Sequence, residues 1–303
     1  MQNVIVIGSS GFLGSAVTRE LIACGFHVHA IQNQRPLSTE SGLTIIPGGI
    51  KSLTTNTLDR IRPAAIFHCA RPVFPHLRHL GRLVAAWQAN RFNRRLLSQI
   101  VASQDQPPLV FASGSLVYGN NTQPHNELSP LKPLSYARQY HRGENPLVDA
   151  IRNNNTKVIM LRFPWILGQG SWFSWFYQKS LMEKGKVPLF GNGSNMMSLI
   201  SLEDAARLMV RSYTRNLESR VYNVFSPHML SQKDFAGLVA AHGGGTLADY
   251  LEIFPEGVEK AAMEAFTSNI LLRTDHPEWL EGYNFQDLNQ VLRELFPVAP
   301  AKH

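Results

Sequence analysis

The sequence predicts an α/β protein: a doubly wound parallel sheet with helices on both faces, and a smaller lobe built mainly from the C-terminal part. Three observations carry this. Short apolar runs alternate with helical segments through the first half of the chain. The first of these runs, Val4-Ile5-Val6-Ile7, leads directly into Gly8-Ser-Ser-Gly11-Phe-Leu-Gly14. The second half then changes character, with an aromatic-rich segment and two helix-capping signatures.

The elements follow in order. Strands are expected at 4–7, 27–32, 43–46, 64–69 and 109–112, with helices between them at about 12–24, 53–60 and 77–103. A further helix starts near Tyr136, and a strand at 157–161 follows it. Strand–helix alternation of this kind implies right-handed β-α-β units and a parallel sheet covered on both faces. In such sheets the ligand crevice lies at the carboxyl ends of the strands. The residues just beyond the strands therefore carry most of the functional information: Gly8, Asn33, Gly49, Ala70, Ser113 and Phe163.

The glycine turn after the first strand is built for a phosphate. Glycine lets the backbone approach a pyrophosphate, and the helix that follows offers free N–H groups and a positive dipole end. The spacing here is G-x-x-G-x-x-G, not the commoner G-x-G-x-x-G. Gly8, Ser10, Gly11, Phe12, Leu13 and Gly14 are the expected dinucleotide contacts. The sheet is accordingly of Rossmann type.

Beyond residue 165, Trp172, Phe173, Trp175, Phe176 and Tyr177 form an aromatic run. It reads as a stacking surface for a ligand or as the buried face of a helix. Ser201-Leu-Glu-Asp204 and Ser231-Gln-Lys-Asp234 resemble capping boxes, each opening a helix. The division expected is 1–165 for the dinucleotide-binding domain and 166–303 for a substrate lobe. The two interleave, with a strand near 221–225 placed to return to the main sheet.

Composition narrows the function. At 303 residues with 44% hydrophobic content, the chain supports a sizeable core. No apolar run approaches the ~20 residues of a membrane span, and the N-terminus lacks a signal-peptide pattern. Cys24 and Cys69 read as small core residues and not a disulfide, which suits a reducing, cytoplasmic setting. The net charge of +7 is concentrated: between Arg60 and Gln104 there are eight arginines and no acid. That block reads as a solvated basic face, since no nucleic-acid recognition motif accompanies it. No His/Cys/Asp/Glu group has metal-ligand spacing.

A second constellation follows the 109–112 strand: Val110-Phe-Ala-Ser113-Gly-Ser115-Leu-Val-Tyr-Gly119, then Pro133-Leu-Ser-Tyr136-Ala-Arg-Gln-Tyr140. With the N-terminal glycines, and with Leu161-Arg-Phe-Pro164, Ser201-Leu-Glu-Asp204 and Tyr222-Asn-Val, it resembles the extended short-chain dehydrogenase/reductase family of nucleotide-sugar epimerases and dehydratases. The resemblance implies NAD(P) as cofactor and a nucleotide-activated sugar, or another small carbonyl or alcohol compound, as substrate. It also implies Tyr136 as general acid/base, with Ala70, Phe163 and Pro164 along the cofactor.

Two positions depart from the family's pattern. Its lysine, four residues after the tyrosine, falls on Tyr140, and its Ser/Thr falls on Gly114, leaving Ser113 and Ser115 on either side. A phenol with a pKa near 10 is a poor base at pH 7 without a nearby cation. Three readings follow: an enzyme with Tyr136 as proton shuttle; a dinucleotide-binding regulatory or partner subunit without turnover; or an enzyme whose acid/base is His141 or Glu127. At the ribose end, Asn33 and Arg35 stand where NAD-specific folds place an acid, which tilts the expectation toward NADP.

Pro146 is expected to kink the helix that starts at Tyr136. In the family this helix and the preceding long one build a dimer bundle. Both carry arginines here, so like charges would meet unless Glu144 or Asp149 compensates. Monomer and homodimer are both left open.

Overall fold

The structure is a computed structural model that describes residues 1–33, 35–38, 41–72, 78–248 and 260–296. Among them the main sheet has seven parallel strands: β1 (Asn3–Ile7), β2 (His27–Ile31), β3 (Leu43–Ile46), β4 (Ala65–His68), β5 (Leu109–Gly114), β6 (Val158–Phe163) and β10 (Arg220–Asn223). Their order is β10-β6-β5-β4-β1-β2-β3. The chain first winds outward through β2 and β3, then returns to β4 on the other side of β1. β1 and β4 therefore flank the point where the winding reverses, and the crevice opens above their carboxyl ends.

The strands are buried on both faces because their residues alternate. Val4 and Val6 pack with Val17 and Leu21 of α1 (Phe12–Ala23) and with Leu208 and Met209 of α6 (Leu202–Thr214). Ile5 and Ile7 face the opposite way, toward Leu58 of α2 (Thr55–Ile61), Leu96 and Ile100 of α3 (Arg78–Ala102), and Leu147 of α4 (Ala137–Asn153). Full burial of each such aliphatic side chain contributes roughly 1.5–3 kcal/mol.

The remaining elements form the lobe. β7 (Trp165–Leu167), β9 (Met196–Ser201) and β11 (His228–Ser231) make a small sheet, and β8 (Lys186–Val187) pairs with β12 (Thr246–Leu247). α5 (Lys179–Lys184), α7 (Gln232–Gly243), α8 (Lys260–Phe266) and α9 (Leu288–Leu295) surround them. Phe173, Tyr177, Phe190, Phe235 and Phe266 pack as one aromatic core. Most of the aromatic run is thus interior; Trp175, 68% exposed, is the exception. Ser201 and Ser231 each accept from the backbone N–H three residues on, as capping boxes require.

One sequence expectation changes, the burial of the cysteines in the core. Cys24 is exposed beyond the end of α1, and Cys69 is half-buried just after β4; neither is bonded to the other. α4 runs through Pro146 without a break. Glu144 is buried, where the charges of Arg71 and Arg162 act on it. No helix among the described residues is long and apolar enough to cross a membrane.

Candidate active site

The glycine turn is closed by its own backbone. Gly8 takes a φ of +89°, and its carbonyl accepts from Gly11 N–H at 2.8 Å. A Cβ on Gly14 would lie 2.0 Å from the Gly8 carbonyl oxygen, and one on Gly8 would lie 2.8 Å from the Ala70 nitrogen. Only hydrogen fits at either place. The turn is thereby pressed against the loop after β4, and α1 opens with no side-chain cap at Gly11 and no acid in its first turn. Its first N–H groups and positive dipole end point to the crevice without a competing carboxylate. The Ser9 hydroxyl is buried there without a hydrogen-bond partner among the described residues. These features fit a dinucleotide pyrophosphate.

The other expected cofactor residues line the same edge. Ser10 is half-buried in the turn, while Leu13 is buried in the core and Phe12 packs against the lobe at Gly168. Asn33 and Arg35 are exposed just past β2, and the Asn33 side chain lies against Gly49. Ala70 follows β4, and Phe163 and Pro164 are buried where β6 leaves the sheet.

At the neighbouring end of β5, α4 presents Tyr136, Tyr140 and Glu144 at successive turns of one face. Tyr136 sits at the start of the helix and is 43% exposed. Tyr140 reaches inward to the sheet: a Cβ on Gly114 would lie 3.2 Å from its hydroxyl oxygen and 4.0 Å from Arg71 Nη2. The Arg71 guanidinium, entering from the loop after β4, stands 4.0 Å from the centroid of the Tyr140 ring. Burial raises the Tyr140 pKa well above that of a free phenol, opposed by the positive charges of Arg71 and Arg162. Tyr140 is therefore a neutral hydroxyl at any working pH.

Glu144 is the buried acid of the site. Desolvation pushes its carboxyl up to about 7, opposed by Arg71, by the hydrogen bond that Ser113 Oγ donates at 3.0 Å, and by Arg162. Ser113 is thus engaged below the sheet edge, and Ser115 is buried in the turn that follows β5. His141 is half-buried, and its pKa is lowered by desolvation and by Arg162. Glu127 accepts from the Asn223 and Asp275 backbone N–H groups and from the Thr274 hydroxyl, so it ties loops together.

Arg162 anchors the loop beyond β5. Buried on β6, it donates from Nη1 to the Tyr118 hydroxyl at 2.8 Å, and that hydroxyl donates to Asn223 Oδ1 at 2.6 Å. Arg71, Glu144 and Arg162 are the residues that sequence reasoning missed. Arg71 lay inside a basic block that reads as surface charge. Its position two residues beyond the 64–69 strand was the available signal.

A family model described as the NAD dependent epimerase/dehydratase family matches residues 4–224, from β1 to just past β10. The chain belongs to the NAD dependent epimerase/dehydratase family. Among curated proteins, an uncharacterized protein of Schizosaccharomyces pombe is 23% identical over 245 residues, covering 78% of this chain and 79% of the relative. Among solved structures, DesIV, a dTDP-glucose 4,6-dehydratase from Streptomyces venezuelae with NAD and TYD bound, matches with a TM-score of 0.77 at 19% identity, over 97% of this chain and 95% of that one. The UDP-glucose 4-epimerase of Thermotoga maritima with UDP-glucose matches with a TM-score of 0.76 at 20% identity, over 96% of each chain. MoeE5 in complex with UDP-glucuronic acid and NAD matches with a TM-score of 0.74 at 23% identity, again over 96% of each. At these identities the structural matches establish the shared Rossmann-type fold. Within this epimerase/dehydratase family member, the matched range holds the glycine turn, Gly114, Tyr136 and Tyr140.

Proposed function

We propose that the chain is an NAD(P)-dependent oxidoreductase of epimerase or dehydratase type acting on a nucleotide-activated sugar, with Tyr136 as its proton shuttle. The observation that carries this is the exposed phenol of Tyr136 on the α4 face that also presents Tyr140 and Glu144, with Tyr140 over the end of β5. The dinucleotide, when bound, supplies a hydride acceptor or donor. Tyr136, acting as its phenolate, would take up the proton of the reacting sugar hydroxyl at its phenolic oxygen while the carbon-bound hydrogen is lost as hydride to the oxidised dinucleotide. The alcohol thereby becomes a carbonyl, and the same proton returns in the reverse step. Arg35, exposed past β2, carries a charge suited to a 2′-phosphate and favours NADP over NAD.

The test combines binding and turnover. NADH and NADPH binding is followed by fluorescence, and hydride exchange is followed with a panel of nucleotide sugars. Exchange in the parent that is lost in Tyr136→Phe, with dinucleotide affinity retained, is the expected result. Exchange unchanged in that variant overturns the assignment of Tyr136. A second reading, a dinucleotide-binding partner subunit without turnover, is favoured by the seating of a neutral Tyr140 hydroxyl over Gly114. Tight NADPH binding with no exchange on any sugar supports that reading instead.

A further inference from the structure

Two polar groups from different elements converge on the bare end of β5. The Tyr140 hydroxyl comes from α4 and the Arg71 guanidinium from the loop after β4. Both lie within 4.0 Å of the point where a side chain on residue 114 would begin. Gly114 leaves that point open. The backbone there is extended, with a φ of −134°, so no conformational demand requires a glycine. What the glycine provides is room: a side chain would press on the tyrosine hydroxyl at 3.2 Å. A neutral hydroxyl donor beside a permanent cation, at the crevice edge of the sheet, is a pairing suited to an oxygen that gains negative charge.

We propose that Tyr140 and Arg71 form a clamp over Gly114 that binds the reacting oxygen of the substrate, a carbonyl or its alkoxide. The clamp rests on the proposed oxidoreductase activity. Tyr140 donates its hydroxyl hydrogen to that oxygen, and Arg71 supplies the positive charge that offsets the developing anion. Glu144, one turn further along α4, lies close enough to Arg71 and Arg162 to feel both charges, with Ser113 donating to it from β5. It is a positioning residue beneath the clamp. Gly114 and Tyr140 are then reciprocal: the large residue on the helix is tolerated because the strand residue has no side chain, and it returns a hydroxyl to the space so vacated.

The experiment has a stability arm and a turnover arm, both on the full chain. The stability arm is a thermal cycle of Gly114→Ser, Tyr140→Phe and the double variant. Gly114→Ser alone is expected to lower Tm by roughly 2–5 °C, the usual scale for overpacking in a chain of this size. Tyr140→Phe, by removing the hydroxyl, is expected to recover most of that loss. Strictly additive shifts show that the two residues do not share the space and overturn the reciprocity. Gly114→Ala serves where the serine variant does not fold.

The turnover arm measures hydride exchange on the nucleotide sugar that the parent accepts. Tyr140→Phe and Arg71→Met are each expected to lower kcat at least tenfold, with NADPH affinity within twofold of the parent. Arg71→Lys is expected to restore part of the rate. Unchanged kcat in Tyr140→Phe and Arg71→Met, in a parent that does exchange hydride, overturns the clamp and leaves the activity standing. No exchange by the parent on any sugar overturns the activity and the clamp with it, while the thermal cycle still decides the packing.

Discussion

The side-chain amide of Asn90 donates to the carbonyl oxygen of Arg142 at 3.1 Å, in the place of the N–H that Pro146 lacks. One turn along α3, Asn93 donates to the carbonyl of Gly143 at 2.9 Å. A proline inside a helix strips a hydrogen bond from the carbonyl four residues back and crowds its neighbours. Here α3 supplies a donor to the Arg142 carbonyl that Pro146 frees, and a second donor to the neighbouring carbonyl of Gly143. The two helices approach closely enough for this because residue 143 is a glycine: a Cβ there would lie 2.7 Å from Ala89 Cβ.

Asn93→Ala is expected to cost about 0.5–1.5 kcal/mol, since it removes a buried inter-helix hydrogen bond to a carbonyl that keeps its own helical partner. Asn90→Ala, at a half-buried position whose hydrogen bond is open to solvent, is expected to cost less than about 1 kcal/mol. Pro146→Ala gives Arg142 back its helical partner, so the Asn90 substitution becomes nearly neutral in that background. Urea unfolding of the single and double variants measures all three.

Gly14→Ala is expected to abolish dinucleotide binding or to prevent folding, because its Cβ would overlap the Gly8 carbonyl at 2.0 Å. Gly25→Ala is the control. Gly25, unlike the helical Gly14, has a positive φ, and no atom of the described residues lies within 4 Å of its would-be Cβ. Strain alone then costs on the order of 1 kcal/mol, with NADPH affinity retained. Fluorescence titration separates the two.

Two buried groups give opposite pH dependences in one window. Glu144 has its folded pKa raised by desolvation from 4.5 to about 7, in the company of Arg71, Arg162, Ser113 and Tyr140. Its folded state holds the proton more tightly, so stability is fully present below 4.5 and is lost as pH rises toward 7. His68, lodged between Phe92 and Phe111 and accepting from the Ala70 N–H, is pushed down by burial from 6.5 to about 4. Its contribution is full above 6.5 and is lost as pH falls toward 4. The parent is expected to show a shallow profile between pH 4.5 and 6.5. Glu144→Gln unmasks a stability that rises with pH, and His68→Gln one that falls. Chemical denaturation at several pH values measures the slopes.

Tyr118→Phe removes the hydroxyl that joins Arg162 to Asn223. Two buried polar groups then lose a partner, and the expected loss is about 1–3 kcal/mol. The loop from β5 to α4 hangs on this junction, so proteolysis between residues 115 and 135 is expected to quicken in the variant. Denaturant midpoints and limited digestion measure the two effects.

Much of the sheet was legible because each strand is a short run with its own boundaries. Val4-Ile5-Val6-Ile7 needs no partner to announce a buried strand, and Gly8, Gly11 and Gly14 announce the turn by spacing alone. The serine caps of α6 and α7 were legible for the same reason: donor and acceptor are three residues apart. Arg71 was not, because its partners Tyr140 and Gly114 lie far along the chain. Glu144 read as a surface charge on a polar helix until α3, β5 and the loop after β4 closed around it.

By itself, the sequence determined the strand–helix alternation, the phosphate turn and the position of Tyr136, since each is written in residues close together along the chain. Only the tertiary structure decided which groups meet over Gly114. It brought a cation from the loop after β4 and a hydroxyl from α4 to the end of β5, and enclosed Glu144 beneath them. Contacts between distant segments depend on how the sheet winds and on where side chains have room, and a missing Cβ at residue 114 acquires its meaning only when Tyr140 is seen to fill the space.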